Sequence, residues 1–95
     1  MPKAYWIANV TITDPDAYKG YQELAPAAFT KYNARFLARG DAVTLEGQPW
    51  QRHVVIEFES LTLAQACYAS HEYQSARAKR LGAAQADIAI IEGLG

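Results

Sequence analysis

A chain of 95 residues with nine Lys/Arg against ten Asp/Glu carries a formal charge of −1. It has no basic field to draw in a phosphate backbone or an anionic bilayer, so neither nucleic acid nor membrane is an expected partner. The length fits one domain, residues 1–95, and a fold of this size buries only roughly 60–65% of the surface its unfolded chain exposes. With 51% hydrophobic residues, including two Trp, six Tyr and three Phe, there is more large apolar surface than so thin a core hides, and a homodimer is expected.

The N-terminal MPKAYWIANVTI alternates apolar and polar residues and lacks the continuous apolar run of a signal peptide. No stretch approaches the ~20 apolar residues of a membrane span. A single cysteine, Cys67, cannot close an internal disulfide, and the expected setting is a reducing, cytoplasmic one.

Ala4 to Ile12 reads as a first strand, with Trp6, Ala8, Val10 and Ile12 on one face and Tyr5, Ile7, Asn9 and Thr11 on the other. Asp14 caps a helix that opens on Pro15, where a missing N–H does no harm. Tyr18, Tyr21, Leu24, Ala25, Ala28 and Tyr32 recur at helical spacing. Pro26 interrupts that stripe and predicts a kink or two shorter helices. Asn33 supplies a left-handed stop. A second strand is expected over Arg35–Arg39 and Ala42–Glu46, bent around Gly40-Asp41, before Gly47-Gln48-Pro49 turns the chain.

Arg52 to Glu59 forms the third strand, with Val54, Ile56 and Phe58 on one face and His53, Val55 and Glu57 on the other. Ser60, or Thr62 within the capping box Thr62-Leu63-Ala64-Gln65, starts the second helical region. Ser70 caps a further segment from His71 to about Leu81, which Gly82 ends. Asp87 to Glu92 is the last strand. The order β-α-β-β-α-β is that of a ferredoxin-like α+β sandwich, a four-stranded antiparallel sheet with helices on one face and the other face left for a second subunit.

Tyr5-Trp6-Ile7, Arg35-Phe36-Leu37-Ala38-Arg39-Gly40, Glu46-Gly47, Trp50, Arg52, Ile56-Glu57-Phe58, Tyr68, Ser70, Glu72-Tyr73-Gln74, Arg80 and Ile91-Glu92-Gly93 together form a pattern that resembles the uncharacterised domain-of-unknown-function family numbered 1330. The resemblance spans nearly the whole chain. It implies the dimeric α/β-barrel superfamily, whose members include cofactor-independent monooxygenases, muconolactone-type isomerases, haem enzymes and stress-response barrels. Fold therefore does not settle function. One departure lies at Asn33-Ala34-Arg35, where the family pattern has Gly-Gly-Arg.

The uncovered sheet face offers the first constellation. Glu57 and His53 are the candidate catalytic pair, with Asn9 and Arg35 or Arg39 around them. A carboxylate desolvated there acts as a general base, and Arg or Asn stabilises a developing oxyanion. The competing account is a cross-strand pair between Glu57 and an arginine.

The helical segment Tyr68, Ser70, Glu72 and Tyr73 is a second candidate for ligand binding, against a simpler role in capping and packing. Glu46 and Arg52 flank the turn that carries Trp50, where they can pair across a hairpin with Trp50 as a lid or dimer contact. Two scattered histidines give no metal-ligand spacing, and neither metal nor cofactor is expected. Arg77, Lys79 and Arg80 read mainly as a solvated helix end. The expected function is binding or acid/base chemistry on a small organic acid or carbonyl compound, the alternative being a non-catalytic dimeric stress-related or regulatory module.

Overall fold

A computed structural model describes residues 2–95. The elements run β1 (Ala4–Ile12), α1 (Pro15–Lys31), β2 (Arg35–Gly40), β3 (Arg52–Phe58), α2 (Leu61–Ala69), α3 (His71–Arg80) and β4 (Ala84–Glu92). The strands form one antiparallel sheet in the order β2-β3-β1-β4. This is the ferredoxin-like α+β arrangement, with β1 and β3 as central neighbours and all three helices on one face. Within a single chain the sheet stays open. No described helix is long and apolar enough to cross a membrane.

Alternation in β1 sorts the two faces. Ala4, Trp6, Ala8 and Val10 are buried beneath the helices, with Ile56 and Phe58 beside them from β3. Trp6 is the centre of the core: its ring lies 5.0 Å from Tyr73, 5.3 Å from Phe29, 5.7 Å from Tyr68 and 5.9 Å from Phe58. Edge-on and offset contacts of this kind add to the area term.

Pro26 does not divide the first helix. α1 is continuous over 17 residues, because Pro26 and Gln22, whose carbonyl loses its N–H partner, are both exposed. Solvent can replace that bond while Tyr18, Ala25, Ala28 and Phe29 hold the opposite side in the core. The helix ends as expected on Asn33, at φ 57°. The Asn33 N–H reaches the Thr30 carbonyl and the Ala34 N–H the Phe29 carbonyl, the two bonds of a Schellman stop.

Two further boundaries differ from the sequence reading, and a third is resolved between its two alternatives. β2 ends at Gly40, and Ala42–Glu46 forms no strand. β3 pairs with β2 only as far as Gly40 opposite His53, so the alternating segment beyond has no neighbour to take its backbone groups. Val43 and Leu45 are consequently 88% exposed. β4 starts at Ala84 rather than Asp87, because Ala84, Gln85 and Ala86 pair with Ile12, Thr11 and Val10. Ser60, not Thr62, caps α2, accepting the Leu63 N–H at 3.2 Å.

Candidate functional site

The sheet register distributes the expected site residues over three places. On the open face, Asn9 and His53 are direct cross-strand partners, and His53 Nδ1–H donates to Asn9 Oδ1 at 2.9 Å. The Nε2 atom of His53 is buried without a partner among the described residues. These two residues, together with Glu46 and Trp50, line an open recess of about 410 Å³ under the 42–48 segment.

Glu57 lies on the same face, opposite Tyr5 on one side and Arg35 on the other. Its ion-pair partner is not an arginine but Lys3, whose Nζ donates to Glu57 Oε1 at 3.1 Å. That bond holds the Lys3 ammonium above its ordinary range. Glu57 lines none of the cavities described here.

The helical candidates serve the fold. Ser70 Oγ accepts the Tyr73 N–H at 3.1 Å and donates to the Cys67 carbonyl at 2.6 Å, both within buried surroundings. It ends α2 and caps α3. Glu72 binds Lys31 at 3.0 Å and ties α3 to α1. A backbone hydrogen bond, reinforced by Lys31, holds the Glu72 carboxyl below its usual value. Tyr68 and Tyr73 pack on Trp6, and the Tyr73 hydroxyl meets that of Tyr21 at 3.2 Å.

Arg39 and Arg52 are on the other face from His53 and Glu57. A bulge at Leu37 resets the alternation of β2, so Arg39 pairs with Val54 while Arg35 pairs with Glu57. Arg52 shares the helix face with Val54 and Ile56, opposite Val10. The expected Glu46–Arg52 hairpin pair therefore does not form, and Arg39 does not join Glu57.

What these two arginines face is a cavity of about 270 Å³ between α1 and the sheet. Trp6, Val10, Val54, Ile56 and Ile88 form its floor, while Tyr18, Tyr21, Pro26 and Phe29 come from α1 and Phe36 closes one side. Small residues create the space: Ala8, Ala25 and Ala86 line it from β1, α1 and β4. Among the described residues, the charged groups on its walls are three guanidiniums, Arg39, Arg52 and Arg80, with no carboxylate.

Arg80 was not expected here. It is 7% exposed, with its guanidinium 5.5 Å from the centre of the Tyr21 ring and its Nε without a hydrogen-bond partner among the described residues. Its position was legible: Tyr73, Ala76 and Arg80 follow at intervals of three and four, the buried stripe of α3. Burial also raises the phenols of Tyr18 and Tyr21 above their ordinary range, so these groups stay neutral hydrogen-bond donors. The cavity can thus hold an apolar body and polarise or neutralise an oxygen. It presents no wall residue suited to act as a base near neutral pH.

Among the described residues no cluster of His, Cys, Asp and Glu is arranged to hold a metal ion. Arginine-lined cavity and open sheet together define a ferredoxin-like domain with a small-molecule-sized recess on its helix side. The family described as Domain of unknown function (DUF1330) matches over residues 3–94, and the chain belongs to it.

No curated protein matches the chain significantly. Among solved structures it is similar to a protein of unknown function from Rhodopseudomonas palustris, at 17% identity and a TM-score of 0.72, covering 99% of this chain and 84% of that one. It is also similar to SnoaB, a cofactor-independent oxygenase from Streptomyces nogalater, at 6% identity and a TM-score of 0.70, covering 100% and 96%. A dimeric ferredoxin-like protein of unknown function from Bacteroides fragilis matches at 15% identity and a TM-score of 0.67, covering 96% of each chain. At these identities the likeness is one of fold.

Gly93, in the Ile91-Glu92-Gly93 motif, donates its N–H to the Lys3 carbonyl at 2.7 Å. A Cβ at that position would come within 3.0 Å of the same carbonyl and of the Tyr5 ring.

Proposed function

We propose that this protein binds a small organic acid or carbonyl compound in the cavity between α1 and the sheet, and that it does so as a homodimer joined through the open sheet face. The observation that carries the reading is the cavity itself. Its 270 Å³ are walled by aromatic and aliphatic side chains with a few polar groups converging on the space, the usual make-up of a ligand pocket, in a volume just below the usual range.

The dimer follows from the opposite face. Ile7 and Ile91 are 40% and 58% exposed there, with Val55 and Ala89 beside Ile7 in the register. A second copy covers this face, and the Lys3–Glu57 and Asn9–His53 pairs then belong to the contact. The dimeric Bacteroides fragilis neighbour supports the arrangement. On this reading Glu57 and His53 set the register of the interface, and the ligand lies elsewhere.

A thermal-shift screen of small carboxylic acids and carbonyl compounds tests the site, run on wild type and on Ala25→Leu, which fills the cavity from α1. Compounds that stabilise wild type and lose their effect in A25L place the site in the cavity. Hits that persist unchanged in A25L overturn it.

A further inference from the structure

We infer that Arg80 is the recognition residue of this cavity and that its ligand is an apolar monocarboxylate the size of a single ring. The inference rests on the cavity reading above and chooses the acid over the neutral carbonyl compound.

The argument begins with the cost of an unpaired charge. Arg80 is more than nine-tenths buried, and its guanidinium makes no ion pair with any described carboxylate. An ion in that setting loses much of its hydration without a counter-charge in return. Two features of the fold act in the other direction. Its place in the last turn of α3 gains from the helix dipole, and its guanidinium gains from the face of the Tyr21 ring. Neither satisfies the Nε–H. A carboxylate in the cavity neutralises the charge and accepts hydrogen bonds from the planar guanidinium.

Charge number and size follow from the same walls. Arg39 is exposed and Arg52 half-buried, so solvent screens them, and only Arg80 demands a counter-charge. One anionic group meets that demand. An apolar cavity of about 150 Å³ accommodates a benzene molecule, so 270 Å³ takes one ring with its carboxylate and a short substituent. The floor of Val54, Ile56 and Ile88 beneath Tyr18, Tyr21 and Phe29 suits an apolar body and offers it no hydrogen-bond acceptor from an acidic side chain.

Benzoate, benzamide and inorganic phosphate, each titrated to millimolar concentration against wild type, A25L, R80M and R80K, decide the matter by melting temperature and calorimetric affinity. Benzoate is expected to stabilise wild type, while benzamide, its neutral isostere, and phosphate, which lacks the apolar body, leave it unchanged. Benzoate binding falls at least about tenfold in R80M and by less in R80K, which keeps the charge and loses the fork. Unliganded R80M melts no lower than wild type, because the substitution removes an uncompensated buried charge.

Benzoate binding retained in R80M, or no benzoate binding to wild type, overturns the inference. So does an R80M melt well below wild type, which would make Arg80 a structural residue. Benzamide binding that equals benzoate and vanishes in A25L also overturns it while leaving the cavity as the site. Benzoate binding undisturbed in A25L removes the cavity itself.

Discussion

Replacing Ser70 with alanine separates capping from ligand binding at the most recognisable helical motif of the chain. The hydroxyl is held from two sides, accepting from Tyr73 N–H and donating to the Cys67 carbonyl. Removing it leaves the carbonyl served, since the Ser70 N–H also reaches Cys67 O at 3.2 Å. The Tyr73 N–H has no such second partner. It becomes an orphaned donor beneath the fully buried Tyr73 side chain, at a cost of about 1–3 kcal/mol, which overlaps the roughly 0.5–2 kcal/mol measured for lost N-caps and is not added to it.

Taking ~2 kcal/mol, and roughly 4–8 °C per kcal/mol for a domain of this size, S70A should melt about 8–16 °C below wild type. Urea denaturation should show the same loss with an unchanged m-value. Affinity for any cavity ligand, measured well below the melt, should not move. A variant that melts with wild type, or one that keeps its stability and loses ligand, refutes the assignment of Ser70 to the fold.

Three other outcomes are expected. Ala25→Leu adds three carbons to a cavity bounded by Ala8 and Ala86; at ~0.8 kcal/mol per buried methylene less some repacking strain, unliganded A25L should gain about 1–2 kcal/mol in urea denaturation, whereas a loss would mean that the space is too constrained to fill. Ile7→Glu places a charge at the centre of the open face and should convert a dimer to a monomer in sedimentation equilibrium, with the helix-side cavity intact; a wild type that sediments as a monomer at micromolar concentration removes the dimer.

Burial pushes the Cys67 thiol up from 9.0 to about 12, so the folded state keeps a proton that the unfolded state loses. Its contribution to stability is therefore complete below pH 9 and is lost as the pH rises from 9 towards about 12. Cys67→Ala should flatten this part of the stability profile, and native Cys67 should react with a thiol reagent at pH 8 no faster than the protein opens.

The fold was legible because its signals agree with one another. β1 alternates cleanly, Asp14 and Ser70 stand where helices must start, and Asn33 stands where one must stop. The failures come from features that a local reading cannot see. Ala84–Ala86 carries little strand propensity and is drawn into β4 by β1, a tertiary override. Ala42–Glu46 has the pattern of a strand but no neighbour to pair with. The bulge at Leu37 is the costliest miss, since one extra residue moves Arg39 to the opposite face from the one that alternation assigns.

The cavity was hidden for a different reason. It is made by absence, from alanines at Ala8, Ala25 and Ala86, and alanine in a core stripe reads as ordinary packing. Only the meeting of three of them from three elements leaves space. The charged residue that marks the site was read with two other cations as a solvated helix end, although only Arg80 is buried on the Tyr73-Ala76 stripe, Arg77 at its edge being half-buried and Lys79 exposed. A solvated helix end has no reason to place its cation on the buried stripe, where alanine or leucine would be the more stable choice. The residue that pays this stability cost is Arg80, and an anion bound in the cavity is what would offset it.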